Sequence, residues 1–405
     1  MLNPKPPDSS TTIILLAIFL FNIDALCAYW KPMKTDIIIL GAGINGVGIA
    51  REASLRGYSV ALLEKNTVGS GTSSKSSRLI HGGLRYLETA NFKLVYEALH
   101  DRQHLVQSYP ELVTLQRFYY PVIKNGPRWP SIIEIGLQLY DILSGFRGIP
   151  KYKKIKKWRF AEMFHIVDIT KMRVIFSYVD GKTNDLALTK RLATEATEMG
   201  TQLFENTVIQ DIKQTPDGYR VQTETEIFEA PILINVTGPW IDEVNATFDL
   251  PANFKIKKVS GIHLFVDGVL TPSPLFLQTG TDRIFFIIPE PENNQTLIGT
   301  TEREESNPVD DIKINEEDIQ YLLSETNRYL NPKDQIKRED VRDSQIGVRA
   351  LVGDAKTMTK ISREYKLDLH KNGNASLLHV FGGKLTTFRS LSFKALKKLG
   401  LKENF

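Results

Sequence analysis

The chain has 405 residues, enough for two or three structural units at roughly 150 residues each. With 42% hydrophobic and 24% charged residues, it has the composition of a globular protein with material for a large core. The net charge of +4 is too mild for a dedicated nucleic-acid binder and suits an anionic small substrate or an anionic membrane surface, while the single cysteine, Cys27, cannot build a disulfide framework, a zinc site or an iron–sulfur cluster within one chain.

Residues 1–32 stand apart from the rest. Ile13 to Phe21 is an apolar run that Asn22 and Asp24 interrupt at once, well short of the roughly 20 apolar residues a membrane span needs. Three readings are open: a mis-set start ahead of Met33, a signal peptide cleaved near ALCA (Ala25 to Ala28), and an N-terminal anchor.

From Asp36 the pattern is regular. Asp36 to Leu40 predicts an apolar strand, Ile44 to Arg56 a helix and Tyr58 to Glu64 a second strand. Phe92 to Gln107 and Pro127 to Leu143 read as helices, followed by a basic loop, Lys151 to Arg159 (KYKKIKKWR). A helix from Asp185, a strand near Thr207 to Ile212 and a hairpin turning at Asp217-Gly218 come next. Ile232 to Asn235 is an apolar strand, residues 255–300 alternate in strand fashion, and Glu316 to Tyr329 is helical. The last unit is a strand at Leu377 to Val380, a glycine turn, and a helix to about Leu399. No internal repeat or low-complexity tract interrupts this order.

The first turn is Gly41-Ala42-Gly43-Ile44-Asn45-Gly46, with a strand feeding it and a helix leaving it. Glycines there let backbone amides approach a pyrophosphate at the positive end of the helix. Glu64 ends the second strand, where a carboxylate holds adenosine ribose hydroxyls. The constellation indicates an ADP-bearing dinucleotide and leaves NAD and FAD open.

The segment TSSKSSRLIHGGLRYLE, residues 72–88, bears on that choice. Its hydroxyls and glycine amides are the groups needed to wrap a flavin, with basic residues aimed beyond it. The segment resembles the FAD-dependent glycerol-3-phosphate dehydrogenases. The resemblance continues through Asn235 to Trp240 (NVTGPW), Gly261-Ile262-His263, Ile298 to Thr301 (IGTT), Gly347 to Leu351 (GVRAL), Ile361 to His370 (ISREYKLDLH) and Val380 to Thr387 (VFGGKLTT).

The resemblance implies an α/β fold with a discontinuous, Rossmann-like FAD-binding domain and an antiparallel-sheet substrate domain. Expected boundaries are 33–125, 181–240 and 347–405 for the three parts of the FAD domain, 126–180 for a helical and basic insertion, and 241–346 for the substrate sheet. FAD is the implied cofactor, contacted by Gly41, Gly43, Ile44, Asn45, Gly46, Glu64, Thr72, Ser73, Ser74, Ser77, His81, Gly82, Gly83, Leu84, Val208, Gly238, Gly383, Leu385 and Thr386. The implied reaction turns sn-glycerol 3-phosphate into dihydroxyacetone phosphate. Arg85, Tyr86, Arg349, Arg363 and Lys384 would bind substrate, and His263, Arg349 and Lys384 are the catalytic candidates. Chemistry agrees: oxidising a secondary alcohol on a flavin needs a hydride acceptor and a base, and a phosphomonoester needs clustered cations. His263 is the candidate base, with Arg349 or Lys384 as the competing reading.

The family also implies electron transfer to a membrane quinone, a peripheral position on the cytoplasmic face of an inner membrane, and a homodimer. The apolar segment at 127–143 and the basic run at 151–159 suit an anionic bilayer surface, and equally a core helix followed by a solvated loop. Family members continue past GGKLTT with a helical domain, which this 405-residue sequence is expected to lack. Two other functions stay open: a related flavoenzyme that uses oxygen or acts on a different 2-hydroxy or amino acid, and a non-catalytic FAD-binding remnant.

Overall fold

The computed structural model describes residues 31–145, 149–353 and 364–402. The apolar run at 13–21, the ALCA sequence and Arg363 lie outside these residues.

Strand Ile37–Leu40 reads IIIL, and all four side chains are fully buried. It lies inside a six-stranded sheet, in the order Lys366–Asn372, Ala375–Phe381, Ile232–Asn235, Ile37–Leu40, Val60–Leu63 and Gln202–Phe204. All pairs are parallel except the hairpin Lys366–Asn372 with Ala375–Phe381. Successive side chains on a strand point to opposite faces, so a strand covered on both sides is apolar throughout. Ile37 and Ile39 pack with Val47 and Ala50 of helix Ile44–Leu55, Leu192 of helix Asp185–Glu198, and Leu391 of helix Phe388–Leu399. Ile38 and Leu40 pack on the other side with Ile212, Val221 and Phe228. Those residues belong to a four-stranded sheet of Met33–Lys34, Ile227–Ala230, Gly218–Thr223 and Ile209–Thr215. Each isoleucine buried in this way stabilises by about 2 kcal/mol.

A ten-stranded sheet forms the second layer. Its order begins Arg303–Glu305, Ile256–Asp267, Gln295–Gly299, Ile284–Glu290, Leu275–Gln278 and continues Val113–Ile123, Met172–Thr183, Leu79–Ile80. Val341–Val352 also pairs with Ile256–Asp267, and Lys153–Ile155 with Met172–Thr183. The sheet is antiparallel apart from the contact of Leu275 with Tyr119. The fold is therefore α/β, with a dinucleotide-type sheet whose strands come from both ends of the chain and a largely antiparallel partner sheet.

Three expectations need correction. Residues 126–180 are not a separate insertion, because Met172–Thr183 lies within the ten-stranded sheet and pairs along its length with Val113–Ile123. The antiparallel sheet thus extends well beyond 241–346. The basic run is not a loop: it forms strand Lys153–Ile155 and the start of helix Lys157–Met163. Burial decides this, since Phe160 is fully buried and stacks on Phe164 with ring centroids 4.4 Å apart. In the hairpin, Gly218 already pairs with Thr215, so Pro216 and Asp217 make the turn.

Candidate active site

A cavity of about 1200 Å³ opens between the six-stranded and ten-stranded sheets. One wall is the turn after Ile37–Leu40. The glycine at position 46 is a steric requirement, since a Cβ there would stand 1.9 Å from the Gly41 carbonyl oxygen. Helix Ile44–Leu55 begins with no acidic residue in its first turn, and the Ile44 N–H donates to Ser73 Oγ at 2.9 Å. Its positive end therefore faces the cavity without an internal counter-charge. Glu64 lies beside it, its Oε2 accepting from Ala42 N at 2.8 Å and its Oε1 from Asn66 N at 2.9 Å. This donor and acceptor set fits the ADP half of FAD.

The 72–86 segment crosses the cavity and is bonded to distant parts of the chain. Thr72 Oγ1 donates to the Val348 carbonyl at 2.6 Å, and His81 N donates to Thr386 Oγ1 at 3.1 Å. Ser76 is anchored through its N–H and hydroxyl to Asp185 Oδ2, at 3.0 and 2.7 Å. Asn45 Nδ2 reaches the Gly382 carbonyl at 3.4 Å. The glycine turns at both ends of the sequence thus meet at one site.

Of the expected flavin contacts, Gly41, Gly43, Ile44, Asn45, Glu64, Thr72, Ser73, Ser77, His81, Gly83, Leu84, Val208, Gly238, Gly383, Leu385 and Thr386 line the cavity. Gly46, Ser74 and Gly82 do not. Gly46 supports the turn from behind, Ser74 turns its hydroxyl back to the carbonyls of Ser70 and Gly71, and Gly82 donates its N–H away from the cavity to Tyr140.

The expected substrate residues converge. Arg85, Tyr86, His263, Arg349 and Lys384 all line this cavity, with the Lys384 ammonium 4.0 Å from the centroid of the Tyr86 ring. Arg349 Nη2 donates to Thr300 Oγ1 at 2.9 Å. His263 is 2% exposed, and its Nε2 lies 2.9 Å from Ser77 Oγ. Burial, with the positive charges of Arg349 and Arg78, pushes its pKa down to about 3. His263 is therefore neutral at physiological pH.

Sequence reasoning missed several parts of the wall. Phe118, Tyr178, Phe276 and Phe286 give the cavity an aromatic side. Arg78 acts electrostatically on His263 and pairs with Glu290. Arg78 lay within the serine-rich stretch, but its partner is far away in sequence. The aromatic residues belong to strands whose pairing no local pattern reveals.

The FAD dependent oxidoreductase family model (DAO) matches residues 36–387. The chain is 36% identical over 380 residues to the D-erythritol 1-phosphate dehydrogenase of Brucella abortus, covering 91% of this chain and 74% of that protein. It is 36% identical over 377 residues to the aerobic glycerol-3-phosphate dehydrogenase of Escherichia coli K12, covering 90% and 73%. Among solved structures, the glycerol-3-phosphate dehydrogenase from Bacillus halodurans complexed with FAD superposes with a TM-score of 0.72 at 22% identity, covering 91% of this chain and 66% of that one. That superposition speaks for the fold. The family match takes in every residue that lines the cavity, from Leu40 to Thr386. The chain belongs to the family of FAD-dependent oxidoreductases.

Proposed function

We propose that this protein oxidises the secondary hydroxyl of sn-glycerol 3-phosphate to the ketone of dihydroxyacetone phosphate. The observation that carries this reading is the convergence of Arg85, Arg349, Lys384 and His263 on the cavity that holds the dinucleotide turn. A phosphomonoester carries close to two negative charges, and guanidinium groups bind it with strong, directional hydrogen bonds. FAD, when bound, supplies the acceptor for the hydride that leaves the carbinol carbon. The chain's own residues do the rest. The glycine turn, Glu64 and the 72–83 segment hold the cofactor, and Arg85, Arg349 and Lys384 hold the phosphate. His263 takes the hydroxyl proton. Its low proton affinity arises partly from Arg349. A phosphate held by Arg349 offsets that charge, so the imidazole becomes more basic with substrate in place.

The test is an anaerobic absorbance spectrum of the FAD-loaded protein before and after addition of sn-glycerol 3-phosphate. Bleaching of the flavin band is expected; an unchanged band would sink the reading. A second substrate is favoured by the similarity to an erythritol phosphate dehydrogenase. D-erythritol 1-phosphate presents the same phosphate and a secondary hydroxyl on a longer carbon chain. Comparing kcat/KM for the two decides between them.

For the electron acceptor, the reading is a membrane quinone reached from the cytoplasmic side of an inner membrane. Among the described residues no helix is long and apolar enough to cross a membrane. Helix Pro130–Leu143 nevertheless exposes Ile132, Ile135 and Ile142; Trp129, just before that helix, is 64% exposed, and Trp158, within the basic 151–159 run, is 60% exposed. Exposed aromatic and aliphatic residues beside lysines suit the boundary of an anionic bilayer. An apolar groove of about 130 Å³ beneath Ile132 and Ile135 shares Leu84, Arg85 and Phe276 with the main cavity. Glu88 and Ile284 also stand between the two, and this shared wall supports an approach for an apolar acceptor.

A further inference from the structure

Gly82 sits in the middle of the His81–Gly83 turn but does not itself line the cavity. Its N–H donates chiefly to Tyr140 Oη at 2.7 Å, with a longer contact of 3.4 Å to Asp180 Oδ1, and the Tyr140 hydroxyl donates in turn to Asp180, 2.8 Å from each carboxylate oxygen. Arg102 completes the set, with Nη1 2.7 Å from Asp180 Oδ1 and 3.0 Å from the Val179 carbonyl. A chain of donors therefore runs from Gly82 through Tyr140 to Asp180, and Arg102 closes it from the far side. All three side chains are buried. They come from helix Pro130–Leu143, strand Met172–Thr183 and helix Phe92–Ser108.

Packing alone does not call for this arrangement. A buried ion pair is weak evidence for stability, because apolar residues of similar volume commonly do as well. Here the pair serves a different end, because the donor chain that ends on its carboxylate begins at one backbone N–H of a turn that lines the site. The fit is close: a Cβ on Gly82 would lie 2.4 Å from Leu99 Cδ2 and 2.6 Å from Tyr140 Oη. On the opposite flank the same turn is held by the bond from His81 N to Thr386 Oγ1. Arg85 and Tyr86 follow directly, on the 3₁₀ turn Leu84–Thr89.

We propose that Tyr140, held in place by Asp180 and Arg102, is a positioning residue: through Gly82 it sets the His81–Gly83 backbone, and with it Arg85 and Tyr86, against the flavin. This rests on the reading of the cavity as a flavin and polyol-phosphate site. It assigns a role in the reaction to side chains that carry no recognisable motif.

The test compares Tyr140→Phe with Leu137→Ala in the FAD-loaded 405-residue protein. Tyr140→Phe keeps the ring and removes only the hydroxyl. Leu137 is fully buried on the same helix and has no polar link to the turn. For each protein the visible circular dichroism of bound flavin, the FAD dissociation constant, Tm and the anaerobic rate of flavin reduction are measured. Tyr140→Phe is expected to retain FAD, change the flavin dichroism and slow reduction by about tenfold to 100-fold, the scale for small misplacements of reacting groups. Leu137→Ala is expected to lower Tm more while leaving dichroism and reduction rate at the wild-type values. Wild-type dichroism and rate in Tyr140→Phe would overturn the proposal, as would equal slowing by Leu137→Ala. If glycerol 3-phosphate fails to bleach even the wild type, the substrate reading fails, and the dichroism and FAD affinity still decide the role of Tyr140.

Discussion

Ser77 Oγ and His263 Nε2 lie 2.9 Å apart, joining the serine-rich segment to the long strand that carries the candidate base. The imidazole is buried although Ser77 is only partly so, and Arg349 and Arg78 bear electrostatically on the ring. The imidazole is therefore held neutral well below its ordinary pKa, and the folded protein resists its protonation.

The consequence for stability has a definite sign. The His263 pKa falls from 6.5 to about 3 on folding, so the unfolded chain binds the proton more tightly between those values. Stability from this group is complete above pH 6.5 and is lost as the pH falls, by about 1.4 kcal/mol for each pH unit. Denaturant unfolding of the FAD-free protein at a series of acidic pH values should show wild type losing stability relative to His263→Asn. Parallel curves would remove His263 as the source.

Arg349→Ala should separate substrate from cofactor. The guanidinium lines the cavity and is braced by Thr300 and the Thr301 carbonyl, within the ten-stranded sheet rather than on the dinucleotide turn. Charge-assisted hydrogen bonds contribute about 1.5–3 kcal/mol each, so the substrate concentration for half-bleaching should rise about tenfold to 100-fold while the FAD dissociation constant changes little. Equal loss of both would count against a phosphate pocket at Arg349.

Gly46→Ala tests the dinucleotide turn. The added methyl would meet the Gly41 carbonyl oxygen, which is backbone and cannot rotate away. The variant should purify with well under one FAD per chain and a lowered Tm. Full flavin content, measured by absorbance after denaturation, would show that the turn is not where the pyrophosphate is held.

The membrane reading predicts sedimentation with vesicles that contain anionic lipid and release at high salt, since exposed charges are screened there. Trp129→Ser combined with Trp158→Ser removes two of the most exposed aromatic residues and should leave the protein in the supernatant. Flavin reduction by substrate, which does not depend on the bilayer, should be unchanged. Binding of the double variant as tight as wild type would assign this face another role.

The dinucleotide unit was legible because its signals are local. A β-branched strand, a glycine turn, a helix and a terminal glutamate fall within one short stretch, and Ile37–Leu40, Ile44–Leu55 and Val60–Leu63 lie where that pattern placed them. The ten-stranded sheet was not legible in the same way. Val113–Ile123 and Met172–Thr183 pair across a gap of some fifty residues, and two helices and a short strand separate them. Their apolar character gives no period that fixes partner or register. The Tyr140–Asp180–Arg102 set was invisible for a related reason: each residue alone reads as an ordinary core or surface residue, and only the pairing of distant elements brings them to Gly82. Lys151 to Arg159 misled because charge outweighed the single phenylalanine that follows it and fixes the helix.

The cavity wall is assembled from residues near 41–45, 70–86, 236–240, 261–263, 347–351 and 382–386. FAD bound there acts as a staple across segments that the unfolded chain scatters over its whole length. It favours the folded state by about 2.7 kcal/mol when free FAD is 100 times its dissociation constant. Chains made while flavin is scarce lack that support and open more often to proteases. The cofactor would then bear on how long a folded chain persists, apart from any effect on catalytic rate.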